Sequence, residues 1–148
     1  MSSKLIGGLA IACIAIAGAI VTLETSAQGR AQAVRWSIDD MSLGSGPEHP
    51  VILWGDPSQP GAEGFGMLIT IPAGSPSRMH AHPGDYYGIN VKGTWVWTED
   101  GVETVLPQGS YVFQPGEQFH DDSCAGPEDC VLFIHQHVPA GMYFPNED

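Results

Sequence analysis

Hydrophobic residues along most of this chain come in short runs that are rich in Val, Ile, Tyr, Trp and Phe. Such runs are typical of β-strands, because β-branched and aromatic side chains pack well on a pleated sheet. This pattern predicts strands at Val34–Ile38, Val51–Trp54, Phe65–Ile71, Tyr86–Lys92, Thr94–Thr98, Val102–Val105, Ser110–Gln114 and Val131–Val138. No long helix is expected among them.

The polar segments between these runs have the composition of turns. The chain contains 19 Gly and 12 Pro, which favour tight turns because Gly accepts positive φ and Pro fixes φ. The clearest turn is Glu99-Asp100-Gly101, which separates two predicted strands and indicates a hairpin. Short, evenly spaced strands predict an all-β fold, a double-sheet jelly roll, in a single domain at residues 34–148.

The N-terminus has a different pattern. Lys4 precedes an uncharged and mostly apolar stretch, Leu5–Leu23, and small-residue sites follow at Ala27 and at Ala31-Gln32-Ala33. This order is typical of a secretory signal peptide, predicted here at residues 1–33. The stretch is also about as long as the roughly 20 residues that cross a bilayer, so an uncleaved anchor is the alternative. In both cases the domain is exported, to the periplasm or outside the cell.

The chain is acidic, with 17 Asp and Glu against 5 Lys and Arg and a formal net charge of -12. Such a field repels phosphate groups, which excludes nucleic acid and anionic membrane surfaces as favoured partners. The membrane becomes a partner only if the N-terminal segment is retained. Beyond the leader, the only fixed cations are Arg35, Arg78 and Lys92.

Three histidines carry the candidate chemistry. His80 and His82 are two residues apart, so both imidazoles point to one face if this segment is extended. His120 follows a Gly/Pro turn on a later segment and can supply a third ligand from another strand. The pattern predicts a site for one divalent metal ion, with Fe, Zn, Mn, Ni and Cu all compatible with imidazole ligands.

The residues around these histidines form two spaced motifs. The first consists of Gly74, His80, His82, Tyr86 and Gly93, and the second of Gly109, Pro115, Glu117, His120 and Cys124. Their spacing resembles that of the cupin superfamily, whose motifs are G-x5-H-x-H-x3,4-E-x6-G and G-x5-P-x-G-x2-H-x3-N. The resemblance implies an RmlC-like double-stranded β-helix, a small-molecule ligand and pairing into a homodimer.

The chain departs from these motifs at three positions. Tyr86 replaces the glutamate ligand, Glu117 replaces a glycine and Cys124 replaces the asparagine. The remaining set resembles the three-histidine cupins, which include iron-dependent thiol and diketone dioxygenases. The segments GDYYGINVKGTW and LWGDP are more similar to exported bacterial cupins that are classed as a domain of unknown function.

Other residues near the motifs are candidates with open roles. Tyr86 is a pocket wall or hydrogen-bond donor, or else a core residue, and Glu117 either reaches the site to take a proton or lies on the surface. These two are the weak catalytic candidates. His135 and His137 share one face of the last predicted strand. They enter the pocket if that face is interior and are exposed if it is not.

Two cysteines bracket a Gly-Pro turn. In an oxidising compartment, Cys124 and Cys130 are predicted to form a disulfide. The alternative is that Cys124, four residues after His120, approaches the metal.

The sequence therefore predicts an exported metal-binding cupin that binds or transforms a small molecule. The alternatives are an iron-dependent dioxygenase of a small thiol or diketone, a metal-dependent hydrolase or isomerase, and a ligand-binding or structural barrel without catalysis. Whether the protein is an enzyme stays open, because the sequence shows no defensible order of nucleophile and base.

Overall fold

The computed structural model describes residues 33–76 and 78–145. The predicted leader lies outside these residues, except for Ala33, so both the signal peptide and the domain boundary stay predictions. Within the described part of the chain, no helix is long and apolar enough to cross a membrane.

The described residues form eight strands and one short 3-10 helix at Ile38–Asp40. The strands are β1 Val51–Trp54, β2 Phe65–Ile71, β3 Tyr86–Lys92, β4 Thr94–Glu99, β5 Val102–Leu106, β6 Tyr111–Gln114, β7 Asp121–Ala125 and β8 Cys130–Gln136. One sheet has the order β1-β2-β8-β3-β6 and the other has the order β5-β4-β7, and their pairings are antiparallel. The predicted all-β jelly roll is confirmed.

Two parts of the strand prediction are wrong. The segment Val34–Ile38 is not a strand: Val34 is 65% and Trp36 is 56% exposed, and the segment pairs with no strand among the described residues. Strand β7, with the sequence DDSCA, was missed because only Cys124 within it is buried. It is a strand because it pairs along its length with β4. This pairing depends on the tertiary structure and not on the composition of the segment itself.

The core lies between the two sheets. Strand β8 alternates strictly from Leu132 onward, with Leu132, Ile134 and Gln136 buried and Phe133 and His135 more exposed. From the smaller sheet, Trp95 and Trp97 complete the buried cluster against this face. This packing fixes which face of every strand in the larger sheet is interior.

The predicted hairpin joins β4 to β5. Asp100 has a φ of 50° and Gly101 a φ of 76°. Positive φ at both central residues is the requirement of a type I′ turn, whose twist matches that of the flanking strands.

Cys124 and Cys130 form the predicted disulfide, with their sulfur atoms 2.09 Å apart. The bond joins the end of β7 to the start of β8 and therefore links the two sheets. Gly93 lies against it, because a Cβ at that position would come within 3.0 Å of the Cys130 sulfur. The alternative in which Cys124 approaches a metal ion is excluded while this bond is intact.

Replacing both cysteines with serine should lower the free energy of unfolding by about 2 kcal/mol, because the unfolded chain loses a short covalent loop. Denaturant unfolding under non-reducing conditions would measure the change. Adding a reductant should destabilise the wild type and leave the double variant unchanged. Equal stability of the two oxidised proteins would show that the bond contributes nothing.

Candidate metal centre

The three histidines are brought together by backbone pairing. His80 and His120 form a reciprocal antiparallel pair, in which each amide N–H donates to the carbonyl of the other, at N···O distances of 2.8 and 2.9 Å. On the other side, Ala81 pairs in the same way with Tyr143. Because His82 follows in the same extended segment, its side chain returns to the face of His80.

Each imidazole is oriented by a backbone carbonyl. Nδ1 of His80 lies 2.7 Å from the carbonyl oxygen of Arg78. Nδ1 of His82 lies 2.8 Å from that of Gly141, and Nδ1 of His120 lies 3.2 Å from that of Gln118. A carbonyl only accepts, so each Nδ1 carries the proton and each Nε2 keeps its lone pair. This is the tautomer that a metal-binding histidine needs at Nε2.

The candidate ligand atoms also converge. One ligand atom from each of the three histidines can be chosen so that all lie within 4.8 Å of one another. Metal–imidazole bonds are about 2.0–2.1 Å long, so the three ligand atoms would have to move closer together to share one ion. Trp97 stacks on the His120 ring, with 4.3 Å between the ring centroids and 4° between the ring planes. This contact restricts the orientation of the His120 imidazole.

Burial favours the uncharged form of two of these histidines. Burial, followed by the neighbouring imidazole of His80, lowers the pKa of His120 to about 3, against an opposing effect of the Gln118 carbonyl. Burial likewise lowers the pKa of His82. Neutral imidazoles are the form that binds metals.

Tyr86 occupies the position of the glutamate in the cupin motif. Its side chain is buried, and its hydroxyl oxygen lies 3.3 Å from Nε2 of His120. Burial, followed by the negative field of Asp122, raises its pKa well above the ordinary value. The phenol is therefore neutral and can donate a hydrogen bond, either to His120 or to a ligand beside it.

A cavity of about 520 Å³ opens beside the histidines. Its walls include Met67, Ile69, Leu132 and Ile134, with His80, His82 and Tyr86 at the polar end. The segment from Ala140 to Phe144 also lines it, and that segment supplies the carbonyl that holds His82. The cavity is large enough for a small organic molecule.

Asp122 also lines the cavity and was not among the predicted site residues. Burial raises its pKa, while His80 and the Trp95 indole lower it. A signal for it exists in the sequence: His120-x-Asp122 has the same two-residue spacing as His80-x-His82, so the side chain faces the same way.

Glu117 points into solvent and is not brought to the histidines. It has a φ of 64°, which lies in the left-handed region. Glycine adopts this region without steric cost, which accounts for the glycine at this position of the cupin motif. Its backbone N–H donates to the His82 carbonyl at 2.8 Å. Asp85 has a similar supporting role, because its carboxylate accepts from the Gly116 N–H at 2.8 Å.

His135 and His137 lie outside the cavity. Their rings contact each other, and His135 packs near Trp54 and Tyr87, which are exposed residues of the larger sheet. The cavity is lined instead by the intervening Ile134 and Gln136. The alternative that placed this pair in the pocket is therefore corrected: their face of β8 is the outer one.

Comparison with known proteins agrees with this geometry. The family described as "Cupin domain" matches residues 67–135, which contain all three histidines, β3 to β7 and most of β2 and β8. This part of the chain is a cupin domain. A search of curated proteins finds no match.

Solved structures show the same cupin fold. An uncharacterized conserved protein with a double-stranded beta-helix domain from Klebsiella pneumoniae has a TM-score of 0.57 and 16% identity, covering 76% of this chain and 96% of that one. A cupin-like protein from Thermotoga maritima has a TM-score of 0.54 and 22% identity, covering 65% of this chain and 75% of that one. At these identities the likeness concerns the fold alone.

Acid should destabilise the metal-free protein through His120. The pKa of this group is about 3 in the folded state against 6.5 for a free imidazole, so between these values the unfolded chain binds the extra proton. The free energy of unfolding should fall as pH decreases through this window, by up to about 1.4 kcal/mol per unit. Denaturant titrations at a series of pH values, on protein freed of metal with a chelator, would measure how the free energy of unfolding changes with pH.

The His120→Asn variant is the comparison for this slope. Asp122 acts in the opposite direction, because a raised carboxyl pKa stabilises at low pH and that contribution is lost as pH rises. Subtracting the slope of the variant from that of the wild type isolates the contribution of His120. Identical slopes in the two proteins would contradict the assignment.

Glu117→Gly should stabilise the domain by about 1 kcal/mol, because glycine adopts positive φ without steric cost. Glu117→Ala removes the same carboxylate but keeps a Cβ, so it should give no such gain. Thermal unfolding of both variants would separate backbone strain from the side chain. A gain in the alanine variant as large as that of the glycine variant would assign the effect to the carboxylate.

Proposed function

We propose that this protein binds one divalent metal ion through His80, His82 and His120 and binds a small molecule in the adjacent cavity. The observation that carries the proposal is the set of three Nδ1-to-carbonyl hydrogen bonds. Because each Nδ1 holds a proton, the three Nε2 atoms are the ligand atoms, and they approach one another from the segment of His80 and His82 and from that of His120. Histidines that served only to fill the core would not need a common tautomer.

A bound divalent ion would supply a Lewis acid with open positions for an oxygen-bearing ligand. The chain's own residues do the rest. The carbonyls of Arg78, Gly141 and Gln118 hold the rings, and hydrophobic side chains form most of the wall of the adjacent cavity. Tyr86 places a neutral hydroxyl beside His120, where it can donate to a ligand oxygen.

We also propose that the domain acts outside the cytoplasm. Two observations support this: the apolar N-terminal sequence with its small-residue sites, and the disulfide between Cys124 and Cys130. Disulfides persist in oxidising compartments and are rare in the cytosol. In such a compartment no pool of reducing thiols keeps iron in the ferrous form, so zinc and copper compete with iron for the three imidazoles.

Elemental mass spectrometry should find close to one metal ion per chain in the purified protein. The double variant His80→Ala/His82→Ala should lose it, because a single remaining imidazole cannot hold a divalent ion tightly. The matched control is His135→Ala/His137→Ala, which removes the same H-x-H pair from the outer face and should keep the metal.

Reconstitution with iron, zinc, manganese, nickel and copper would then identify the preferred ion. Failure of all five metals to bind the wild type would refute the metal site. Equal metal loss in both double variants would show that the effect is not specific to the candidate centre.

A further inference from the structure

One segment near the end of the chain both borders the cavity and contacts the metal centre. Ala140 to Phe144, called the C-terminal strap below, contributes four of the residues that line the cavity. Met142 of the strap and Arg78 line the cavity and are also exposed. Because residues that line a cavity and also meet solvent lie at its mouth, the strap borders the entrance.

The strap orients one of the candidate metal ligands. The carbonyl oxygen of Gly141 lies 2.8 Å from Nδ1 of His82 and holds the proton on that nitrogen. The carbonyl that does the same for His80 belongs to Arg78, 2.7 Å away. The two histidines of the H-x-H pair are therefore oriented by two segments that are distant in the sequence.

A side-chain contact joins these two segments. The guanidinium carbon of Arg78 lies 3.3 Å from the centroid of the Phe144 ring. This is a cation–π contact, in which the face of the ring attracts the cation. Arg78 thus offers its backbone carbonyl to His80 and its side chain to the strap, so the contact links the supports of both ligands.

The backbone contacts of the strap are few. Tyr143 exchanges two hydrogen bonds with Ala81, at 2.9 and 3.0 Å, and the Ala140 N–H donates to the Pro57 carbonyl at 2.7 Å. Tyr143 is itself 37% exposed. Short segments with exposed backbone hydrogen bonds open locally at a low cost in free energy. A side-chain contact at the end of the strap therefore raises the fraction of molecules in which it is docked.

We infer that Phe144 is a positioning residue for the metal centre. Its ring, held against Arg78, keeps the strap docked. The docked strap keeps the Gly141 carbonyl on Nδ1 of His82, which leaves Nε2 of that ring to bind the ion. The inference rests on the proposed function for its metal ion, but the orientation of His82 is a property of the protein alone. It assigns a role to a residue outside both cupin motifs.

Zinc affinity, measured by competition with a chromophoric chelator, tests the inference. Phe144→Leu removes the ring and should weaken zinc binding about fivefold, the effect of losing one partly exposed cation–π contact. Phe144→Tyr keeps the ring and should bind zinc as tightly as the wild type. The matched control is Phe113→Leu, which removes a 46% exposed ring from β6, away from the cavity, and should have no effect. An unchanged affinity in Phe144→Leu, or an equal loss in Phe144→Tyr, would overturn the inference.

A double-mutant cycle isolates the contact itself, because Arg78 makes another interaction as well. Arg78→Gln removes the guanidinium but keeps the backbone carbonyl that orients His80. In this background Phe144→Leu should cause no further loss of zinc affinity. Losses that simply add would show that the two side chains act separately, which contradicts the inference.

The imidazole of His82 gives a readout that needs no metal. In the metal-free protein at mildly alkaline pH, nitrogen-15 NMR should place the ring proton on Nδ1 in the wild type and in Phe144→Tyr. Phe144→Leu should show a mixture of tautomers, and a purely Nδ1-protonated ring in this variant would refute the role of Phe144. If zinc does not bind the wild type, the metal site fails, and the tautomer of His82 alone decides whether Phe144 positions it.

Discussion

The candidate centre depends on the antiparallel pairing of His80 with His120. This pair joins two segments that are 40 positions apart in the sequence by two backbone hydrogen bonds. Because the pairing fixes the backbone, each imidazole leaves it in a set direction, and carbonyls from three further positions fix the rings. The geometry of the site is therefore a property of the backbone, which explains how neighbouring motif positions can vary around it.

The three departures from the cupin motifs have different physical consequences. Tyr86 exchanges an anionic oxygen for a neutral, buried hydroxyl, so the candidate ligand set carries no charge of its own. Glu117 keeps the turn of the motif glycine at the cost of a strained φ. Cys124 leaves the site altogether and joins the two sheets through Cys130. Only the first of these changes alters the chemistry of the centre.

The sequence predicted the fold and the three histidines well, because both depend on the two-residue period of extended chain. The same rule applied to His120 would have found Asp122, but the polar sequence of β7 hid the strand that carries it. The faces of β8 could not be predicted, since Phe133 and Leu132 make both sides hydrophobic. Val34–Ile38 shows the converse error: its hydrophobic residues alternate with polar ones as in a strand, but it has no partner strand among the described residues, and Val34 and Trp36 remain exposed.

The polar residues of the interior divide according to whether the protein itself satisfies them. Asn90 donates to two carbonyls and Gln114 to one, so the N–H groups of both amides are satisfied within the barrel. His80 and His82 differ, because their Nδ1 atoms hold the protons and their Nε2 atoms keep their lone pairs beside the cavity, whereas Nε2 of His120 lies 3.3 Å from the Tyr86 hydroxyl. Fixing both rings in this tautomer adds nothing to the packing of the core, so the arrangement is best explained by what the site binds.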